Sequence, residues 1–420
     1  MARRGVKPLL LFACLVVGLA VVATVAAAEE DRTLHLALGD PARKDREAPL
    51  VLDAVTDTRT GDLLTPADLP ARLAHLEGVR LVLVGESHTN ADFHLAQLRV
   101  IQELQRAGRE VLIGLEMYPE TEQRWLDAWR DGSLTEDGFL RLSHWYKNWG
   151  YNWAYYRDIF LFARDHGLRM IALNAPREIV SAVGKKGLAG LTPDERASIA
   201  PRIDTTSAEH RTLINAFFGA GDPLHSGMPQ EQLDRMYAAQ CTWDATMGHN
   251  AVKALREHPG PNTVMVILVG SGHVAYGLGI QRQIADELGG RSVAVLPVPV
   301  KDDDGKPTAT VRASYADFLW GVPPETDPLY PSLGLSTSGE GDASRKVLFA
   351  SPDTPAARAG FQPGDLLLTM DGAPIADRET LNRALSAKRW GDTVLFTVSR
   401  GGKTETLTVH FRRLQPPPKL

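Results

Sequence analysis

Five short apolar runs, at residues 79–84, 111–115, 169–173, 264–269 and 292–298, constrain this chain more than any other feature. A strand with one wet face alternates apolar and polar residues, whereas a strand covered on both faces is apolar nearly throughout. These runs are of the second kind. Between them lie patterns of helical period, at 92–106, 154–165 and 230–257. Doubly covered strands alternating with helices predict an α/β fold, a largely parallel sheet with helices on both faces. The pattern places this domain at about 50–300. The charged stretch 29–49 lacks periodicity and reads as a tether. A polar turn at 301–307 begins a linker expected over 301–329, which carries Val322-Pro323-Pro324-Glu325 and Pro328.

The first 28 residues read as targeting rather than fold. Arg3, Arg4 and Lys7 precede an apolar run from Pro8, which closes on Ala26-Ala27-Ala28-Glu29, a small-residue cleavage signature. A secretory signal is expected, or an N-terminal anchor if it is retained. Either places the chain in the periplasm, free or membrane-anchored. Cys14 is a poor lipoprotein cysteine, because most of the apolar run follows it. Cys241 would then stand alone, without an internal disulfide, and its apolar helical spacing marks it as a buried small residue. The net charge is −5 and no basic stripe occurs, so nucleic-acid binding is not expected.

Residues 330–414 form a second unit. It opens on Tyr330-Pro331-Ser332-Leu333-Gly334-Leu335-Ser336, continues through Ser351-Pro352 to Gly364-Asp365-Leu366, and then turns at Met370-Asp371-Gly372. An amphipathic helix follows at 378–388, with Leu381, Ala384 and Leu385 on one face. Two strands at 393–400 and 403–411 meet at Gly401-Gly402, a hairpin signal. This segment resembles the PDZ domains of HtrA-type envelope proteases, which makes it a small β-rich domain. The resemblance implies that Leu333, Gly334, Leu335 and Ser336 receive a peptide or protein C-terminus on backbone N–H groups. The ligand strand would lie between residues 335–338 and the helix. A few such bonds at about 1 kcal/mol each, plus one apolar pocket, imply affinity around micromolar.

Chemistry gathers where the strands of the α/β unit end. The first runs into Gly85-Glu86-Ser87-His88, the second ends in Leu115-Glu116-Met117-Tyr118, and a late one runs into Gly270-Ser271-Gly272-His273; another adds Asn174 and Arg177. Parallel α/β sheets bind ligands at the carboxyl ends of their strands, so these residues can converge. Glu86, His88, Glu116 and His273 could bind a divalent metal such as zinc, or act as general acid and base. Ser87 lacks the G-x-S-x-G setting of a serine hydrolase. An aromatic segment adds seven Trp or Tyr within 145–156, out of 17 in the chain. Such rings suit core packing, a flat ligand, a membrane surface or a dimer contact.

With Gly150-Tyr151-Asn152-Trp153 and Asn174-Ala175-Pro176-Arg177-Glu178, this ordered series of motifs resembles the ChaN family over about 50–298. That resemblance implies an envelope protein that binds haem for iron uptake, with a tyrosine ligand to iron and haem at a homodimer interface. Tyr118, Tyr146, Tyr151, Tyr155 and Tyr156 are the candidate ligands, and Arg177 a further haem contact. The wider group includes Tiki-type metallopeptidases and erythromycin-esterase-like hydrolases, which place Glu and His at similar strand ends. A metal-dependent hydrolase using Glu86, His88, Glu116 and His273 is therefore an alternative, and a non-catalytic PDZ adaptor another. Covalent c-type haem is excluded, because no Cys-x-x-Cys-His occurs.

Overall fold

The computed structural model describes residues 33–218, 228–302, 305–324, 328–337 and 345–413. The expected targeting segment 1–28, with Cys14, and the end of the groove strand at Ser338 lie outside the described residues.

All five apolar runs are strands of one eight-stranded sheet. Its order is Leu63–Leu64, Val55–Asp57, Phe318–Val322, Arg291–Pro299, Val79–Glu86, Thr263–Gly270, Glu110–Pro119 and Arg169–Asn174. The last six are mutually parallel, and only Val55–Asp57 and Leu63–Leu64 run against their neighbours. Burial explains the unbroken apolar runs. Val82 and Val84 enter the core on one face, with the helix Ala91–Arg106, while Leu81 and Leu83 enter the core on the other, with the helix Gln230–Glu257. Every residue of Thr263–Gly270 is buried.

Two expectations are corrected. The stretch before residue 50 is no tether where it is described. Leu34, Leu38 and Ala48 are core residues, and Glu47–Pro49 pairs with Thr310–Arg312. Residues 301–329 are not simply a linker either. Lys301 and Pro307 do bridge as a polar hairpin, but Phe318–Val322 follows as a fully buried strand inside the large sheet. It pairs in parallel with Arg291–Pro299 and antiparallel with Val55–Asp57.

The C-terminal unit has its own core, with Leu333, Val347, Leu367, Leu381, Phe396, Val398 and Phe411. Its strands form a pair, Leu335–Thr337 with Val347–Ala350, and a four-stranded antiparallel sheet. In that sheet Thr393–Arg400 and Lys403–His410 stay in register up to Gly401-Gly402. No helix among the described residues is long and apolar enough to cross a membrane.

Candidate functional site

Val79–Glu86, Thr263–Gly270 and Glu110–Pro119 are adjacent in the sheet, so their carboxyl ends deliver Glu86, Gly270 and Glu116 to one crevice. Gly270 is where the parts meet. A Cβ there would lie 3.2 Å from His88 Cε1 and 3.7 Å from Glu116 Oε2, so glycine lets the ring rest close against the strand end.

Glu86 is buried and fully engaged. Its Oε1 accepts from Tyr156 Oη at 2.6 Å and from His88 Nδ1 at 2.7 Å. Its Oε2 accepts from Gln97 Nε2 at 2.8 Å and faces His94 Nδ1 at 3.3 Å. Burial alone would raise this carboxyl. The charge of His94 and the hydrogen bonds of both imidazoles outweigh it and hold Glu86 well below the usual carboxylate range. Burial pulls His94 the other way, but the carboxylate keeps the ring charged beyond its ordinary range.

A second set forms on the other side of Gly270. Glu116 Oε2 accepts the Gly270 N–H at 2.7 Å, and Oε1 stands 3.3 Å from His273 Nε2. His273 Nδ1 meets Asp244 Oδ1 at 2.5 Å. Asp244, from the middle of the helix Gln230–Glu257, is fully buried and was not among the sequence candidates. The signal was present but weak: one acid on a helical stretch whose nearest neighbours include Cys241, Ala245, Met247 and Gly248. Burial would discharge His273, yet Glu116 and Asp244 on its two nitrogens push it up to about 10. The ring is therefore an imidazolium at neutral pH, clamped between two carboxylates.

His88 is the half-buried member. Trp149 meets it edge-on and Tyr151 at a tilt, each with a centroid distance of 4.8 Å. The other aromatic residues of this segment pack inward. Trp145, Tyr146, Trp153, Tyr155 and Tyr156 are core residues. Among the five candidate tyrosines, Tyr118 is fully buried and bonded to Ser143 Oγ at 2.8 Å, and Tyr156 is committed to Glu86. Tyr146 lies beneath Arg383 of the C-terminal unit, and Tyr155 Oη accepts the Tyr330 N–H at 3.4 Å. Only Tyr151 of the five is partly exposed. Burial, Glu116 and Glu86 raise its phenol well above the ordinary value, while the Arg177 cation opposes them. Asn174 braces the crevice, donating to the Glu116 carbonyl at 2.7 Å. Cys241 is buried as expected, and burial pushes its thiol up to about 12.

The sequence profile described as haem-binding uptake, Tiki superfamily, ChaN matches residues 72–284, half of the chain. The chain belongs to the ChaN haem-binding family. A PDZ domain profile matches residues 331–411. Protein RETICULATA-RELATED 5, chloroplastic, from Arabidopsis thaliana is 25% identical over 266 residues, 58% of this chain and 34% of that protein. A probable periplasmic serine endoprotease DegP-like from Rhizobium meliloti is 31% identical over 93 residues, 22% of this chain and 18% of that protein. The chain thus spans about a third of one of these curated relatives and less than a fifth of the other. A solved structure titled as cofacial heme binding to ChaN of Campylobacter jejuni aligns with 64% of this chain and 98% of its own, at 19% identity and a TM-score of 0.49. In the ChaN-family domain, no group of three or more His, Cys, Asp or Glu among the described residues is arranged to hold a metal ion. The zinc alternative therefore finds no such donor set, for Glu86, His88, Glu116 and His273 are occupied with one another.

The PDZ domain presents its expected loop. Gly334 has φ +75°, and a Cβ there would come 2.3 Å from Thr354 Cβ. Its carbonyl accepts from Ser351 N at 2.9 Å, while that of Leu333 accepts from Ala356 N at 2.9 Å. Among the described residues the strand Leu335–Thr337 pairs on one side, and Ser336 Oγ is buried without a hydrogen-bond partner.

Proposed function

We propose that the ChaN-family domain binds haem over His88, with Tyr151 as the iron ligand, and that the PDZ domain recruits a protein partner by its C-terminus. The observation that carries this reading is Tyr151. Of the five candidates it is the partly exposed one, it rests on His88 beside Trp149, and the Arg177 cation opposes the burial and the two carboxylates that hold its proton. The residues fit the group. A phenolate is a hard oxygen donor for ferric iron, and partly exposed rings suit a flat macrocycle. Haem when bound would supply the iron; this chain's own groups set the Tyr151 proton and the slope of the surface. A homodimer belongs to the reading, as does a place in the cell envelope and in iron uptake. The PDZ part rests on the strand Leu335–Thr337, which among the described residues pairs with one strand, and whose other edge, met at Thr337 by Arg378, would take the ligand strand.

Haemin titration of the chain tests it. A shifted Soret band at micromolar haemin is expected, with affinity reduced at least tenfold in Tyr151→Phe and unchanged in Tyr118→Phe. A flat titration overturns the reading. Sedimentation with and without haemin reads the dimer.

A second reading is favoured by the Asp244–His273–Glu116 clamp. The imidazolium keeps Glu116 ionised, and a carboxylate so held at a strand end can serve as the general base that hydrolysis of a small ester or peptide requires. It predicts hydrolysis of an activated ester that disappears in His273→Gln. The same slow rate in both proteins would sink it.

A further inference from the structure

One helix of the PDZ domain serves two surfaces. Arg378–Ser386 forms one wall of the peptide groove, and Arg378 Nη2 donates across to the Thr337 carbonyl of the groove strand at 3.3 Å. Its outer side is seated on residues 144–152 of the ChaN-family domain. Asn382 Nδ2 donates to the Tyr146 carbonyl at 3.0 Å, and Asn152 Nδ2 donates to the Ser386 carbonyl at 3.0 Å. Glu379 pairs with His144 at 3.1 Å, and the Arg383 guanidinium lies 5.4 Å from the Tyr146 ring centre. The fit is close, because a Cβ on Gly150 would come 3.0 Å from Asn382 Nδ2.

The opposite side of the same segment carries Trp149 and Tyr151, the two rings that rest on His88. His144 sits in the left-handed region at φ 49°, where a non-glycine residue is strained, and Gly150 takes φ +87°, which glycine adopts freely. Only a few residues therefore separate the contacts with the PDZ helix from the two rings.

We propose that the PDZ helix and residues 144–152 act as one coupling element, so that a partner's C-terminus in the groove and occupancy of the His88 site change each other's affinity. The proposal rests on the haem and peptide reading above for its ligands, and on the packed contacts for its mechanism. A ligand strand must enter between Leu335–Thr337 and the helix, where Arg378 now reaches across. Wedging the helix outward moves Glu379 and Asn382, and with them His144 and the Tyr146 carbonyl. Linkage is reciprocal, so haem that alters the groove must be altered by whatever fills it.

The experiment uses the full chain, haemin as probe, and two variants, Glu379→Ala/Asn382→Ala and the milder Asn382→Ala, each first checked for wild-type melting. Hydrogen exchange is followed in the groove strand, the PDZ helix and residues 144–152. Haemin is expected to change exchange of the groove strand and helix in the wild type, and this response should vanish in the double variant, with haemin affinity shifted at least fivefold. Haemin that binds both proteins equally and leaves PDZ exchange untouched overturns the coupling. If haemin does not bind at all, the haem reading has failed, and the coupling is judged ligand-free. Faster exchange at 144–152 in the variants then upholds it, and unchanged exchange overturns it.

Discussion

Two oxygens of Glu86 receive four side chains, and this saturation decides what His88 can do. Its Nδ1 is spent on Glu86, so Nε2 is the nitrogen turned toward Gly270 and Glu116. On the far side, His273 is held by two carboxylates, and its proton is bound more tightly in the folded chain than in the unfolded one. The sign follows from the raised value of about 10. Its stabilisation is complete below the unfolded pKa of about 6.5, and is lost as pH rises from there through about 10. Glu116 is depressed despite burial, through the charge of His273, so its stabilisation is lost on the acid side. Melting temperature should therefore pass through a maximum near neutrality and fall between pH 7 and 10. His273→Gln should flatten that alkaline limb and cost about 3–5 kcal/mol at pH 6, because it leaves two buried carboxylates without their cation. An alkaline limb that persists in the variant would show that another group supplies it. The strand-end residues were legible in the sequence because a parallel sheet aligns strand ends regardless of sequence distance. Asp244 was not, because helical register alone does not say which turn faces a histidine 29 residues on.

At the scale of elements, the aromatic segment 145–156 was legible in composition but not in use. Five of its seven rings belong to the core that also holds Phe139 and Phe160, and two remain for His88. Enrichment in Trp and Tyr marks a patch that is apolar with polar tips; which ring is left at the surface depends on how neighbouring helices dock. The PDZ loop is the opposite case, since a single glycine fixes it. Gly334→Ala meets both a positive φ and Thr354 at 2.3 Å, so the loop must move. Peptide capture should be lost, and the PDZ transition should fall by about 1–3 kcal/mol, while the melting of the ChaN-family domain stays as in the wild type. Scanning calorimetry with C-terminal peptide arrays reads both effects. Undiminished peptide binding would mean that the Leu333–Leu335 backbone is not the carboxylate cradle.

For the whole molecule, the telling element is Phe318–Val322. Its five residues come after a polar hairpin and next to Pro323-Pro324, and so resemble the start of a linker. Nothing local says that the chain returns to the sheet, because parallel pairing with Arg291–Pro299 leaves no turn signature. Yet Phe318 and Leu319 are wholly buried, with Trp320 and Val322 nearly so. Burying each such side chain is worth about 1.5–3 kcal/mol, so four approach the entire stability of a domain, about 5–15 kcal/mol. The strand also joins Val55–Asp57 to the rest of the sheet, and its removal would set that antiparallel pair adrift. A chain ending at residue 300 should therefore fail to fold cooperatively, whereas one ending at residue 329 should melt as a single transition. The longer truncation still loses the Tyr330 ring from Tyr155 and the PDZ helix from Tyr146, so faster exchange at 144–152 is expected with the sheet intact. Circular dichroism melts and limited proteolysis of the two truncations separate these outcomes. Equal stability for both would show that the sheet closes without its C-terminal strand. The distinction bears on function, since a ChaN-family domain cut before residue 318 would lose haemin binding through misfolding alone, and only the longer truncation isolates what the PDZ domain adds.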